Sequence, residues 1–205
     1  SMTIPANVKR LGEGWSSGIT NLKKITVNPN NRFFRSYEDK IILKKSRQDK
    51  EDFDVLVSAV SNIEKVTIPS SVEIIKQAAF YNCEKLKEVE FHPDSRLRII
   101  EDFAFYSTGL KRITLPSTVE ELKPLWCFKT NKLRKISVME NNKRYKSFED
   151  GFLLEKSSPE KDNFDTLVSV VHNIKSITFP SFIEVIKPSL LSDCKKVTRI
   201  DFLPD

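Results

Sequence analysis

The chain has 205 residues, of which 39% are hydrophobic and 30% charged, with a formal net charge of +6. That length suits one domain or an elongated array with a core of its own, and no apolar run nears the roughly 18 residues needed to span a bilayer. Lys and Arg alternate with Asp and Glu instead of gathering on one stretch, which argues against a dedicated nucleic-acid surface. The cysteines, Cys83, Cys127 and Cys194, are too scattered for a disulfide framework or a zinc site.

Ser1-Met2 reads as a cloning remnant, no signal peptide is visible, and no Asn-x-Ser/Thr sequon occurs. The first element is "MTIP" at Met2, and its pattern returns along the chain. "ITVNP" follows at Ile25, "VTIP" at Val66, "VEFHP" at Val89, "ITLP" at Ile113, "ISVME" at Ile136, "ITFP" at Ile177 and "IDFLP" at Ile200. The second apolar residue of each phrase is a marker: Ile4, Val27, Ile68, Phe91, Leu115, Val138, Phe179 and Phe202. The marker positions advance in steps of 23, 41, 23, 24, 23, 41 and 23. The chain is a repeat of about 23 residues, with two units stretched to 41.

One unit shows the physics. In "LKEVEF", Leu86, Val89 and Phe91 are apolar and the residues between them charged. Alternation of period two is the signature of a half-buried strand. A lone strand of this kind cannot bury its apolar side, so the expectation is eight parallel strands stacked about 4.8 Å apart. Proline after the marker ends the strand because it has no N–H to donate. From Ser70 the chain turns back through Val72, Ile74 and Ile75. Ala78, Ala79 and Phe80 then read as a short helical turn whose ring plugs the coil, and Cys83 and Leu86 close the unit. Cys83 and Cys194 hold the same place in their units, which favours a core role over a reactive one.

Each stretched unit carries two apolar runs around a charged turn: Ile41–Leu43 with Val55–Val60, and Phe152–Leu154 with Thr166–Val171. A β-hairpin is expected there. The two stretched units are copies of each other. Leu22 to Pro69 aligns without a gap on Leu133 to Pro180, at a constant offset of 111 in the numbering, with 23 of 48 positions identical.

The pattern I-x-x-I-x-I-P-x-x-V-x-x-I-x-x-x-A-F-x-x-C-x-x-L, nearly complete from Ile63 to Leu86, resembles the BspA-like, or Treponema pallidum-type, leucine-rich repeats. The inserted phrase around "FEDGFLLEK" resembles a unit found in such proteins from protists such as trichomonads. The sequence departs from the pattern at "LKPLWCFKT", where Leu125, Trp126 and Phe128 replace A-F. The resemblance implies an α/β leucine-rich repeat solenoid over 1–205. Its features would be a parallel sheet of about eight short strands, short helical turns on the other flank and two hairpin-like insertions. It implies a non-enzymatic module of a surface adhesin or antigen, at the cell surface or outside the cell, binding host or matrix proteins. A cytoplasmic scaffolding or sensor arm is the alternative.

No residue pattern points to catalysis or a cofactor. His92 precedes a turn, and His172 stands where the earlier copy has Ser61. The acid pairs in "YEDK" at Tyr37 and "FEDG" at Phe148 offer too few oxygens for calcium by themselves. The candidate binding face is the outer side of the sheet. One column reads Lys24, Lys65, Glu88, Arg112, Lys135, Ser176 and Arg199; its neighbour reads Thr26, Thr67, Glu90, Thr114, Ser137, Thr178 and Asp201. Its expected partner is a protein, with an anionic glycan as the alternative ligand and nucleic acid disfavoured. Neither end has a polar capping unit, so the expectation is either a piece of a longer array or ends that stack on another copy.

Overall fold

Every marker phrase forms a strand in the computed structural model, which describes residues 1–16, 19, 21–149 and 151–204. In chain order the strands are β1 (Met2–Ile4), β2 (Ile25–Val27), β3 (Phe34–Tyr37), β4 (Ile41–Lys44), β5 (Val55–Ala59), β6 (Lys65–Ile68), β7 (Ile74–Ile75), β8 (Glu88–Phe91) and β9 (Ile99–Ile100). They continue with β10 (Arg112–Leu115), β11 (Glu121–Leu122), β12 (Lys135–Val138), β13 (Tyr145–Phe148), β14 (Phe152–Glu155), β15 (Thr166–Val170), β16 (Ser176–Phe179), β17 (Val185–Ile186) and β18 (Arg199–Phe202).

The marker strands pair in parallel and in the expected register, such as Ile68 with Phe91 and Leu115 with Val138. They do not form one continuous sheet. The hydrogen-bonded pairs are β1–β2, β6–β8, β10–β12 and β16–β18. The pairs are the neighbours whose markers step by 23, and the ladder opens wherever the step is 24 or 41. The unit that steps by 24 is itself uneven. Its extra residue is already present on the outward run, where Val72 is followed by Leu97 in the next coil, a step of 25. On the return, Leu86 is followed by Leu110, a step of 24. The coil therefore lengthens on its way out and shortens on its way back. The shortened return brings Gly109 against the preceding coil, where a Cβ would stand 2.3 Å from the Glu84 carbonyl oxygen. Only glycine fits that approach.

A second ladder holds the coils on the next face. β5, β7, β9 and β11 pair in parallel through two residues each, Val55-Leu56, Ile74-Ile75, Ile99-Ile100 and Glu121-Leu122. At β5 this ladder joins an antiparallel meander, β3–β4–β5, so the first insertion is three strands instead of a two-stranded hairpin. The second insertion repeats it as β13–β14–β15, followed by β17. The phrase "YEDK" is the β3–β4 turn: Glu38 and Asp39 have φ of 50° and 53°, and Lys40 N–H donates to the Tyr37 carbonyl. That is a type I′ geometry, matched to strand twist.

The helical turns expected on the third face are not there, and the described residues contain no helix, so the fold is a β-solenoid instead of an α/β one. Ala78, Phe80 and Asn82 donate their N–H groups to the carbonyls of Asp102, Ala104 and Tyr106 in the next coil, at 3.2, 2.8 and 2.9 Å. The residues between them, Ala79, Tyr81 and Cys83, make i→i−3 bonds inside their own coil. Phe105 and Ser107 pass the pattern on to Trp126 and Phe128. A helix would keep all these N–H groups within one coil. Left-handed residues interrupt any helix at intervals of four, at Ala78 and Asn82, Phe103 and Ser107, and Leu125 and Lys129. Non-glycine residues hold that conformation only where the surroundings fix it, and here the inter-coil bonds do.

The core runs through the middle of the coils. Phe80 and Phe105 are fully buried and stack at 5.0 Å. The stack ends at Cys127, where Trp126 meets Phe105 edge-on at 6.1 Å. The "LKPLWCFKT" departure thus moves the aromatic plug by one residue without breaking the coil.

Candidate functional site

The predicted columns lie on the marker strands, with Lys24 just ahead of β2, and are mostly exposed, but several of their charges are already paired. Lys65 reaches Glu90 at 2.6 Å and Glu88 at 3.3 Å, and the Thr67 hydroxyl also reaches Glu90. The hydrogen bonds to Glu90 and then Glu88 raise the Lys65 pKa, and the Lys65 bond lowers that of Glu90. Lys24 pairs with Asp39 at 2.8 Å and Arg199 with Asp201 at 2.7 Å. The Thr3 and Thr26 hydroxyls bond each other at 2.8 Å, the start of the hydroxyl ladder. The basic column is therefore closer to neutral than its sequence implies.

Where the ladder opens, clefts form, and predicted residues line them. At the β8–β10 break, Glu88, Glu90, Arg112 and Thr114 surround one, with Met139 at its side. A larger cleft of about 660 Å³ lies beside the second insertion, with Ser176 and Thr178 on its strand side. Phe148, Phe152 and Phe182 supply its apolar wall, and Phe148 and Phe182 meet edge-on at 5.4 Å. Arg134 and Leu203 also line it. The 111-residue offset shows how its lining differs from the first copy. Phe148, Gly151, Ser176, Phe182 and Leu203 stand where the first copy has Tyr37, Lys40, Lys65, Ser71 and His92. Two lysines have become glycine and serine, and the polar wall has become apolar.

Beneath both insertions is a polar framework that the sequence reading did not single out. Asn31 donates from Nδ2 to the carbonyls of Pro5 and Val8, and its Oδ1 accepts from the N–H groups of Phe33 and Phe34. Asn142 repeats all four bonds with Pro116, Val119, Arg144 and Tyr145. Asp54, 1% exposed, accepts from Ser46 N–H, Ser46 Oγ and Lys50 Nζ, and Lys50 also pairs with Glu73. Asp165 does the same with Ser157 and Lys161, and Lys161 with Glu184. Burial alone would raise the Asp54 pKa, but the Lys50 and Ser46 bonds outweigh it and hold it low. The Lys161 bond does the same at Asp165, strongly. Identity at Asn31/Asn142, Ser46/Ser157, Lys50/Lys161 and Asp54/Asp165 was the available signal.

The reactive residue types sit quietly. All three cysteines are buried and free. Burial pushes Cys83 and Cys127 up to about 12 and Cys194 up to about 11, so their thiols stay protonated. His92 accepts the Asp94 N–H on an exposed turn. His172 is buried, and burial lowers its pKa against the opposing effects of Asp193 and the Thr130 backbone. Glu38 and Asp39 pair with Lys40 and Lys24, and Asp150, of the second acid pair, lies outside the described residues. Among the described residues no His, Cys, Asp and Glu side chains converge as a metal would need. No helix there is long and apolar enough to cross a membrane.

The family model of the BspA type leucine rich repeat region matches the chain in six copies, over residues 58–158 and 165–205. No curated protein matches. Among solved structures, the pneumococcal vaccine antigen PcpA is similar over 98% of this chain and 44% of its own, with a TM-score of 0.66 and 20% identity. A leucine-rich cell surface protein from Faecalibacterium prausnitzii is similar over 98% of this chain and 60% of its own, with a TM-score of 0.57 and 18% identity. A leucine-rich repeat protein from Eubacterium ventriosum is similar over 97% of this chain and 56% of its own, with a TM-score of 0.54 and 19% identity. The chain thus spans about half the length of the structures it resembles, and the likeness concerns the fold.

Proposed function

The chain belongs to the BspA-type leucine-rich repeat family, and on that premise we propose that it is a non-enzymatic protein-recognition module of a cell-surface or extracellular protein. The observation that carries this reading is the cleft beside the second insertion. It combines an apolar aromatic wall with the hydroxyls of Ser176 and Thr178 at the candidate face. An apolar pocket with a few polar groups at its edge is the usual receptacle for an anchoring side chain of a partner protein. The surface setting is supported by two neighbours whose names describe a vaccine antigen and a cell surface protein. A non-catalytic role is supported by protonated thiols and by a buried histidine whose cationic form is disfavoured. An anionic glycan on the basic column is the weaker reading, because Lys24, Lys65 and Arg199 already have carboxylate partners.

The test is capture of host or matrix proteins on the immobilised chain, beside a G151K/S176K variant that places the first copy's two lysines on the cleft lining. An added Cβ at Gly151 would press on the Val171 side chain at 3.0 Å, which must shift by a few tenths of an ångström to admit it. The expected result is a protein retained by the original chain and released by the variant, whose melting temperature falls by no more than about 4 °C. Equal retention by both would remove the cleft from the account.

A further inference from the structure

Many lysines and arginines of this fold face a carboxylate, but among the described residues four are set over a phenylalanine ring instead. Arg35 Cζ and Lys45 Nζ lie 4.8 and 5.4 Å from the centre of the Phe53 ring. Lys146 and Lys156 Nζ lie 5.7 and 5.4 Å from the centre of Phe164. These residues correspond one to one across the 111-residue offset: Arg35 to Lys146, Lys45 to Lys156 and Phe53 to Phe164. Among the described residues none of the four cations makes a salt bridge.

A phenyl face attracts a cation, but weakly at an exposed site, and two cations gathered on one ring repel each other. An arrangement that brings like charges together without an anion between them is poised to receive one. Beside Phe164 the surface is also apolar at its floor, formed by the ring and Pro159, with Lys143, Arg144 and Lys156 around it. Glu120, on the same rim, is taken up by Arg98. Arg144 is held by Glu155, which leaves Lys146 and Lys156 at the ring, with Lys143 beside them, to receive a ligand.

We propose that the two cation–aromatic–cation clusters, Arg35/Phe53/Lys45 and Lys146/Phe164/Lys156, are twin docking points for an acidic protein segment in which carboxylates alternate with apolar side chains. The carboxylates meet the paired cations, and the apolar side chain lies on the ring edge and, at Phe164, on the floor it shares with Pro159; Gln48 holds the Pro159 position in the first copy. A sulfated glycan, polar along its whole length, would leave that floor uncovered. The clusters are separate from the cleft at Ser176, so this inference stands or falls without it.

The experiment is titration of the whole chain at low salt with a fluorescent hexapeptide of alternating Asp and Leu. Its Asn-Leu counterpart, a heparin hexasaccharide and a single-stranded oligonucleotide are titrated in parallel. The expected result is two Asp-Leu peptides bound per chain, weakened at least tenfold by 0.5 M salt, with no binding of the Asn-Leu peptide. K146E/K156E and R35E/K45E should each leave one site, and the fourfold variant none. K146Q/K156Q should weaken the second site without disturbing the fold, as checked by its melting temperature. Undiminished binding by the fourfold variant would overturn the proposal. So would binding of heparin or the oligonucleotide alone, or equal binding of the Asn-Leu peptide.

Discussion

The two stretched blocks, residues 22–69 and 133–180, are built on one framework and finished differently. What they share is a polar network centred on the buried Asn31, Asp54 and Asp165 and on the half-buried Asn142. Asn31 and Asn142 bond the same four backbone groups, and Asp54 and Asp165 collect the same serine and lysine. What differs is the wall facing the marker strands, where Tyr37, Lys40 and Lys65 become Phe148, Gly151 and Ser176. The difference teaches which positions each physical constraint governs. A buried polar group must keep its partners, because an unsatisfied one costs about 1–3 kcal/mol. A half-exposed wall answers only to what lies outside it, and is free to diverge.

The largest expected effect comes from breaking what is shared. Asn142→Ala strands the carbonyls of Pro116 and Val119 and the N–H groups of Arg144 and Tyr145. Its cost should be about 3 kcal/mol by chemical denaturation, and Asn31→Ala should cost about the same. A gap of more than about 2 kcal/mol between them would break the equivalence of the blocks. Next is Gly109→Ala, between the blocks, where the new methyl meets the Glu84 carbonyl at 2.3 Å. Overpacking against backbone should cost about 2–3 kcal/mol, whereas Gly12→Ala, with nothing within 4 Å, should cost little. Smaller still is G151K/S176K, which copies a solution already present in the first block and should change stability by about 1 kcal/mol or less.

The smallest effect is a pH dependence. Burial lowers the pKa of His172 in the folded chain. As pH falls, the unfolded chain therefore takes up this proton first. The contribution of His172 to stability is complete above about pH 6.5 and declines as pH falls below it. His172→Ser, the residue at Ser61 in the first block, should flatten melting temperature between pH 7.5 and 5.5. An unchanged slope would mean that other groups produce it.

Much of this was readable in the sequence, for identifiable reasons. The marker strands and their 23-residue period follow from apolar spacing, and the matching pairs formed in register. Even the breaks were written there, since the steps of 24 and 41 are where the ladder opens. The turns at Ala78–Phe80 were misread as helical because a helix and a stack of turns bury the same small-small-aromatic pattern. What separates them is the partner of each N–H, and Phe80 finds its partner at Ala104 in the next coil. Nor could the columns show that Lys65 would be claimed by Glu90 across two strands. The framework asparagines were hidden because their partners are backbone groups, which carry no side-chain signature. The cleft was invisible in either block alone and emerges only from aligning Gly151 and Ser176 with Lys40 and Lys65.

The central claim is that the cleft beside the second insertion receives a partner protein and depends on Gly151 and Ser176 standing where the first block has Lys40 and Lys65. The direct measurement is binding stoichiometry after transplanting the second wall into the first block, as Y37F/K40G/K65S/S71F/H92L. Calorimetric titration with the protein retained by the original chain should give one site before the transplant and two after it. A count that stays at one in the folded variant would contradict the claim.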